Sequence, residues 1–276
     1  TNLPSINPNV GTNYARCLVP TYGYPSSDQA FTTGLLGDYR RMDIPVGRLS
    51  ATSDAEVLAY LAKVQATEAQ PPAIWQKNVL HFAGGFAPAE ISSLSSNLRF
   101  LASIAADSLM GADTVLFRKL SSSIIAQASA DSVRMYIEDR GVSLMTFLAH
   151  AFSANFDITI DEPENYQWNG KHPLVLGLSC YIGNIHGNGP RTATEKWVLT
   201  PGAGPIAFLA QGDLGYTGLL MGYARPFYES LARENHGGPV GRHMQHAGLQ
   251  SQLPSSHSYL LWNAQNFALQ GDPTLT

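Results

Sequence analysis

The chain has 276 residues, 44% of them hydrophobic, enough for one large α/β domain with a substantial core. Its formal charge of -4, from 17 Lys plus Arg against 21 Asp plus Glu, gives no electrostatic reason to expect a nucleic-acid or anionic-membrane partner. No apolar stretch reaches the roughly 18 residues of a membrane span, and the sparse charge, 14% of the chain, leans toward an exported protein.

Residues 1–36 are rich in Pro, Gly, Tyr and Asn and read as loop, within a loop-rich entry segment covering 1–50 of a single domain, 1–276. Asp43-Ile-Pro-Val-Gly-Arg48-Leu closes that segment as a short strand or turn that sets Arg48 beside the main sheet. Ser53-Asp-Ala-Glu56 has capping-box spacing, and Val57, Leu58, Leu61 and Val64 follow at helical intervals, so a helix is predicted over 54–67. After Pro71-Pro72, Asn78-Val-Leu-His-Phe-Ala reads as a buried strand that delivers Gly84-Gly85 to its exit. A helix over about 88–108, a strand from Asp113, a helix over Ala130 to Asp139 and a strand over Val142 to Ala149 follow. Asp157 to Gly170 is acidic and aromatic and reads as a flexible arm; the next strand ends at Cys180. Glu195-Lys-Trp-Val-Leu is a short helix, Ile206 to Ala210 a core strand, and the tail is helical over 217–234, 239–250 and 257–269. Strand and helix alternate throughout, which favours a parallel sheet in an α/β fold.

Two apolar runs end on reactive side chains, one at His150 and the other at Cys180. In an open parallel sheet the ligand crevice lies outside the carboxyl ends of the strands, so both groups can face one substrate. A free thiol is only a few per cent thiolate at neutral pH and needs a base, which the His150 imidazole supplies. The loop holding Gly183, Asn184 and His186 follows closely, and its amides, with the N–H of Cys180, could bind a developing oxyanion. The plain alternative makes Cys180 a small buried hydrophobe and His150 a satisfied polar residue. His186 is a competing base, its plain reading a solvent-facing loop histidine. Cys17 and Cys180 could form at most one disulfide, although a cysteine at the mouth of a strand serves better as a thiol. His236, His243 and His246 cluster without a completing ligand, so no metal site is expected. Gly212-Asp-Leu-Gly and the stretch Asp157 to Glu164 offer oxygen ligands for a structural calcium, and no cofactor is otherwise required. Gly84-Gly85 could cradle a phosphate, but neither dinucleotide nor Walker spacing is present.

Asp43-Ile-Pro-Val-Gly-Arg-Leu, Phe147-Leu-Ala-His150, Cys180-Tyr-Ile-Gly-Asn, Glu195-Lys-Trp-Val-Leu, Gly204-Pro-Ile-Ala-Phe-Leu-Ala and Gly271-Asp-Pro-Thr-Leu occur in this order. Together they resemble the gingipain-like cysteine peptidases of the caspase-like clan, and look closest to the sortase-like branch associated with type IX secretion. The resemblance implies a caspase-like three-layer αβα sandwich on a mainly parallel sheet. It also implies thiol attack by Cys180 and acid/base work by His150 on a peptide bond, through a thioester that water or an amine resolves. Relatives carry Gly on either side of the histidine where this chain has Ala149-His150-Ala151; the Ala151 amide can still serve an oxyanion beside that of Cys180. Asp157 and Glu90 are the candidates for the acid that orients the histidine. A Leu-x-Gly-Asp stretch and a strand that relatives place upstream of Arg16 to Tyr22 are missing, which suggests a domain lacking its N-terminal strand region. The implied partners are a polypeptide substrate and secretion-system or cell-surface proteins, at an extracellular or outer-membrane-associated bacterial surface. The contrasting reading is a catalytically weak scaffold of that machinery.

Overall fold

Val79, Leu80, Phe82, Met145, Phe147, Val175, Leu176, Phe208 and Leu209 are all fully buried, so the strands that carry them are covered on both faces. The computed structural model describes residues 19, 21, 26–152, 154–187, 190–253 and 258–276; Cys17 and most of the Arg16 to Tyr22 stretch lie outside them. In chain order the strands are β1 (Asn78–Ala83), β2 (Asp113–Arg118), β3 (Ala126–Gln127), β4 (Leu144–Leu148), β5 (Ala151–Phe152), β6 (Asn155–Phe156), β7 (Ile158–Thr159), β8 (Leu174–Leu178), β9 (Ala207–Gln211) and β10 (Phe267–Gln270). Six of them form the central sheet in the order β10-β9-β8-β4-β1-β2, parallel except for the antiparallel edge strand β10. The chain winds outward from β1 to β2 and then in the other direction through β4, β8 and β9. The switch point therefore lies between β1 and β4, and the crevice opens beyond their carboxyl ends.

The helices are α1 (Asp54–Glu68), α2 (Pro88–Ala106), α3 (Ala130–Arg134), α4 (Ala193–Leu199), α5 (Thr217–Glu229), α6 (Val240–Gln250) and α7 (Ser258–Gln265). Leu94, Leu98 and Leu101 of α2 pack with Tyr223 and Phe227 of α5 and Met244 of α6 on one face of the sheet. Tyr60 of α1, Val133 of α3 and Trp197 of α4 cover the other. The result is the three-layer αβα sandwich expected from the resemblance, with alternate residues of each strand feeding the two cores.

Several expectations change. In α1 the apolar residues Val57, Leu58 and Leu61 stay exposed while Tyr60 and Lys63 turn inward. Their polar tips are satisfied there: Tyr60 Oη donates to the Ile206 carbonyl, and Lys63 Nζ to those of Val198 and Pro205. The tail is not helical through 269: α7 stops at Gln265, and residues 267–270 form β10, whose backbone groups pair with β9. Arg48 pairs alongside this edge, donating its amide to Leu269 and accepting from Gly271 at 2.8 and 2.9 Å, as the sequence suggests.

Asp157 to Gly170 is not a solvated arm either. Asp157 forms a buried ion pair with Lys119 at 3.0 Å, β7 pairs with β3, and Tyr166 and Trp168 are buried. Charge neutralisation and aromatic burial outweigh the polar composition that suggested a loop in water. The neighbouring β5–β6 hairpin is held to the sheet by Phe156, stacked on Phe147 of β4 at 4.4 Å between ring centres. The residue that opens the hairpin follows His150 directly, so this stack helps fix where His150 sits.

Candidate active site

Strands β4 and β8 are parallel neighbours, and Leu148 lies opposite Leu178. His150 and Cys180 each stand two residues beyond that pair. Leu148 and Leu178 point into the core formed with α2 and α5, and His150, past the strand end, meets Glu90 of α2 on that side. One residue earlier the two exits are tied together by the Ser179 hydroxyl, which donates to the Ala149 carbonyl.

Past the sulfur the backbone turns sharply. Tyr181 has φ of 55°, a left-handed conformation unusual for a bulky residue, and is held there by donating its amide to Asp213 and accepting from the Asn184 amide. Gly183 donates to Gln211, and a Cβ on Gly183 would lie 2.5 Å from the Ala210 carbonyl oxygen, so only glycine brings this loop so close to β9. From the β9 exit the Gly215 amide donates to Cys180 Sγ at 3.3 Å. His186, the competing base, does not face solvent: its ring is buried, with Nε2 3.7 Å from Asp28 Oδ2, and burial pushes its pKa down to about 4.

Of the two candidate acids, Glu90 meets the imidazole and Asp157 meets the backbone. Glu90, in the first turn of α2, receives the Phe86 amide on Oε2 at 2.7 Å and lies 2.8 Å from His150 Nε2 through Oε1. The Phe86 amide, and secondarily His150, hold its pKa below the usual carboxylate value. An ionised carboxylate only accepts, so Nε2 is the protonated nitrogen and Nδ1 of the neutral ring keeps its lone pair for a substrate or thiol. Phe86 stacks flat on the imidazole, ring centres 4.2 Å apart and planes within 10°.

Asp157 Oδ1 accepts the His150 amide at 3.0 Å, and Oδ2 accepts both the Gly85 amide at 2.8 Å and Lys119 Nζ at 3.0 Å. Gly84 and Gly85 are therefore no phosphate cradle: a Cβ on Gly84 would collide with Asp157 Oδ1, and Gly85 has φ of 127°. Ala151, the other oxyanion candidate, opens β5 and is buried opposite Phe156. In the stretch that offered calcium ligands, Asp157 pairs with Lys119, Asp161 with Arg134 and Glu162 with Lys196. Among the described residues no group of three or more His, Cys, Asp or Glu side chains converges as a metal ion would need.

Phe86 was not singled out from the sequence, and Gly215 was read only as part of a possible calcium loop, since their contacts with His150 and Cys180 arise from strand exits far apart in the chain. The signal available was a glycine turn after each strand, Gly84-Gly85-Phe86 and Gly212-Asp-Leu-Gly215. A cavity of about 700 Å³ lies elsewhere, at the amino ends of the strands, lined by Trp75, Met110, His172, Val240 and His243. It includes neither Cys180 nor His150, which stand at the opposite, carboxyl end of the sheet.

The family model described as peptidase family C25 matches residues 7–276. Among solved structures the chain is similar to the Arg-specific cysteine proteinase gingipain R, with a TM-score of 0.73 at 16% identity over 93% of this chain and 61% of that one. It is also similar to the complex of Porphyromonas gingivalis RgpB pro- and mature domains, with a TM-score of 0.74 at 15% identity over 93% and 62% of the two chains. A third structure, described as a protease, gives 0.71 at 15% identity over 91% and 59%. Likeness at these identities shows the fold, and the chain spans about three fifths of these relatives' length. No curated protein matches the sequence.

Proposed function

The chain belongs to peptidase family C25, and from that premise we propose that it is a cysteine peptidase whose nucleophile is Cys180 and whose acid/base is His150. The observation that carries this reading is the equivalent placement of the two residues, each two positions past the paired Leu148 and Leu178 on adjacent strands. Strands in a sheet lie about 4.8 Å apart, so same-face side chains from matched positions can share one reacting carbonyl.

His150 Nδ1 takes the thiol proton as sulfur adds to the carbonyl carbon. The tetrahedral oxyanion is received by backbone N–H groups, for which those of Cys180 and Ala151 are the candidates. Collapse expels the amine, which takes the proton back from Nδ1, and leaves a thioester on Cys180. Water, deprotonated by the same nitrogen, then frees the acid. Glu90 keeps Nε2–H as a donor and stabilises the imidazolium that forms between the two proton transfers. The Gly215 amide steers sulfur and donates to it while it carries charge. A primary amine in place of water would give a transpeptidase from the same thioester.

A peptidyl thiol-reactive probe followed by mass spectrometry tests the reading. Labelling at Cys180, absent in Cys180→Ala and weakened in His150→Ala, is expected. A folded chain that no such probe labels at any pH between 5 and 9 is a scaffold, and the peptidase reading fails. Peptide-library digestion with and without added amines then separates hydrolysis from transfer.

A further inference from the structure

Large apolar side chains stand in water near the dyad, at the exits of β1, β4 and β9. Leu214, 42% exposed, and Tyr216, 60% exposed, flank the glycine whose amide touches Cys180 Sγ. Phe86, 43% exposed, lies on the His150 ring, and Phe152, 77% exposed, follows two residues after His150. Among the described residues, the two carboxylates that touch His150 are already engaged, and Asp213 has one of its two oxygens taken. Glu90 holds the Phe86 amide and the imidazole, Asp157 is buried against Lys119 and two amides, and Asp213 Oδ1 accepts the Leu214 amide.

A crevice that selects a basic side chain needs a carboxylate free to meet it. One that selects an apolar side chain needs exposed apolar surface that the substrate can cover, because both surfaces then leave water. The second description matches these residues. We infer that the site selects peptides by a large apolar side chain, aliphatic or aromatic, on the residue whose carbonyl is attacked. That side chain seats on Leu214 and Tyr216 beside the sulfur, with Phe86 and Phe152 lining the crevice on the histidine side. The inference rests on the peptidase reading above and adds the substrate class to it. Attachment of the acyl group to sulfur keeps this residue next to the β9 exit through both halves of the reaction, so contacts there act on acylation and on hydrolysis of the thioester alike.

The test uses peptidyl acyloxymethyl ketones that differ only in the residue beside the ketone, Phe, Leu, Lys or Gly, with labelling at Cys180 of the full chain followed by mass spectrometry. The Phe and Leu probes should react at least about tenfold faster than the Gly and Lys probes, the discrimination that a few apolar carbons typically give. Leu214→Asp should lower the Phe-to-Gly ratio, and Tyr216→Ser serves the same purpose should the first variant not fold. Equal rates across the probes, or a preference for Lys, which would point to Asp213, overturns the inference and leaves the peptidase reading standing. No labelling by any of the four, while iodoacetamide still reaches Cys180 in the folded chain, overturns the peptidase reading and this inference with it.

Discussion

Lys119 and Asp157 form a 3.0 Å ion pair with both side chains buried, and through the carboxylate they bind the exits of three strands to one another. Asp157 takes amides from Gly85 after β1 and His150 after β4, while Lys119 itself follows β2 and also donates to the Ile124 carbonyl. Removing the acid strands a buried ammonium. Asp157→Ala should therefore cost about 3–5 kcal/mol in urea denaturation. Lys119→Met should cost less, because two amides still satisfy the remaining carboxylate. Equal losses from the two substitutions would contradict this account of the cluster.

Glu90→Gln preserves shape but replaces an acceptor-only group beside His150 Nε2 with one that can also donate, which loosens control of the tautomer. Turnover at neutral pH should fall by up to about a hundredfold with little change in KM, since the group acts on proton transfer and not on peptide binding. The lowered pKa of Glu90 keeps the carboxylate ionised further into acid than an ordinary glutamate, so the wild-type advantage persists below the usual carboxylate range and vanishes once the pH drops past that lowered value. Rate profiles of the two proteins, measured side by side, check both statements.

A methyl group at residue 183 meets the backbone of β9, with Ala210 O at 2.5 Å and Ala210 C at 2.8 Å. Gly183→Ala should destabilise the chain by about 1–3 kcal/mol, the usual cost of overpacking. It should also slow labelling of Cys180, because the turn that aims the sulfur must shift. Thermal denaturation and the labelling rate should move together; unchanged labelling at lowered stability would detach this loop from the nucleophile.

Burial pushes the pKa of His81 down from 6.5 to about 4, its Nε2 meeting Tyr228 Oη at 3.0 Å inside the core. The unfolded chain then binds the proton first as pH falls. The neutral-imidazole contribution is complete above pH 6.5, is lost progressively between 6.5 and 4, and is gone below that, with up to about 3 kcal/mol at stake for this one residue. His172, His186 and His243 are shifted to about 4 as well, chiefly by burial, and act over the same window. Melting temperatures should fall across that window, and less steeply in His81→Gln. An identical slope in the variant would argue that His81 titrates alike in both states.

The sheet was legible because strands buried on both faces leave short apolar runs, as at Val79 to Ala83, interrupted only by His81, and at Val175 to Leu178. The edge strand β10 was not: Leu260, Leu261, Ala264 and Phe267 recur at helical spacing, and what ends the helix is pairing with β9, a partner distant in sequence. The site divides the same way. His150 and Cys180 announce themselves as strand ends, whereas the division of labour between Glu90 and Asp157 depends on which oxygen meets which nitrogen. Acidity at Asp157 reads as solvation only until Lys119 is brought beneath it by β2.

The alignment of Leu148 with Leu178 makes the two strands a shared ruler for the chemistry. A single residue inserted between Leu148 and His150, or between Leu178 and Cys180, would rotate one reactive group to the opposite face of the sheet, whereas an insertion within the stretch joining the strands leaves the alignment untouched. Length variation in this lineage should therefore be absent from the two short steps that end at the imidazole and the thiol.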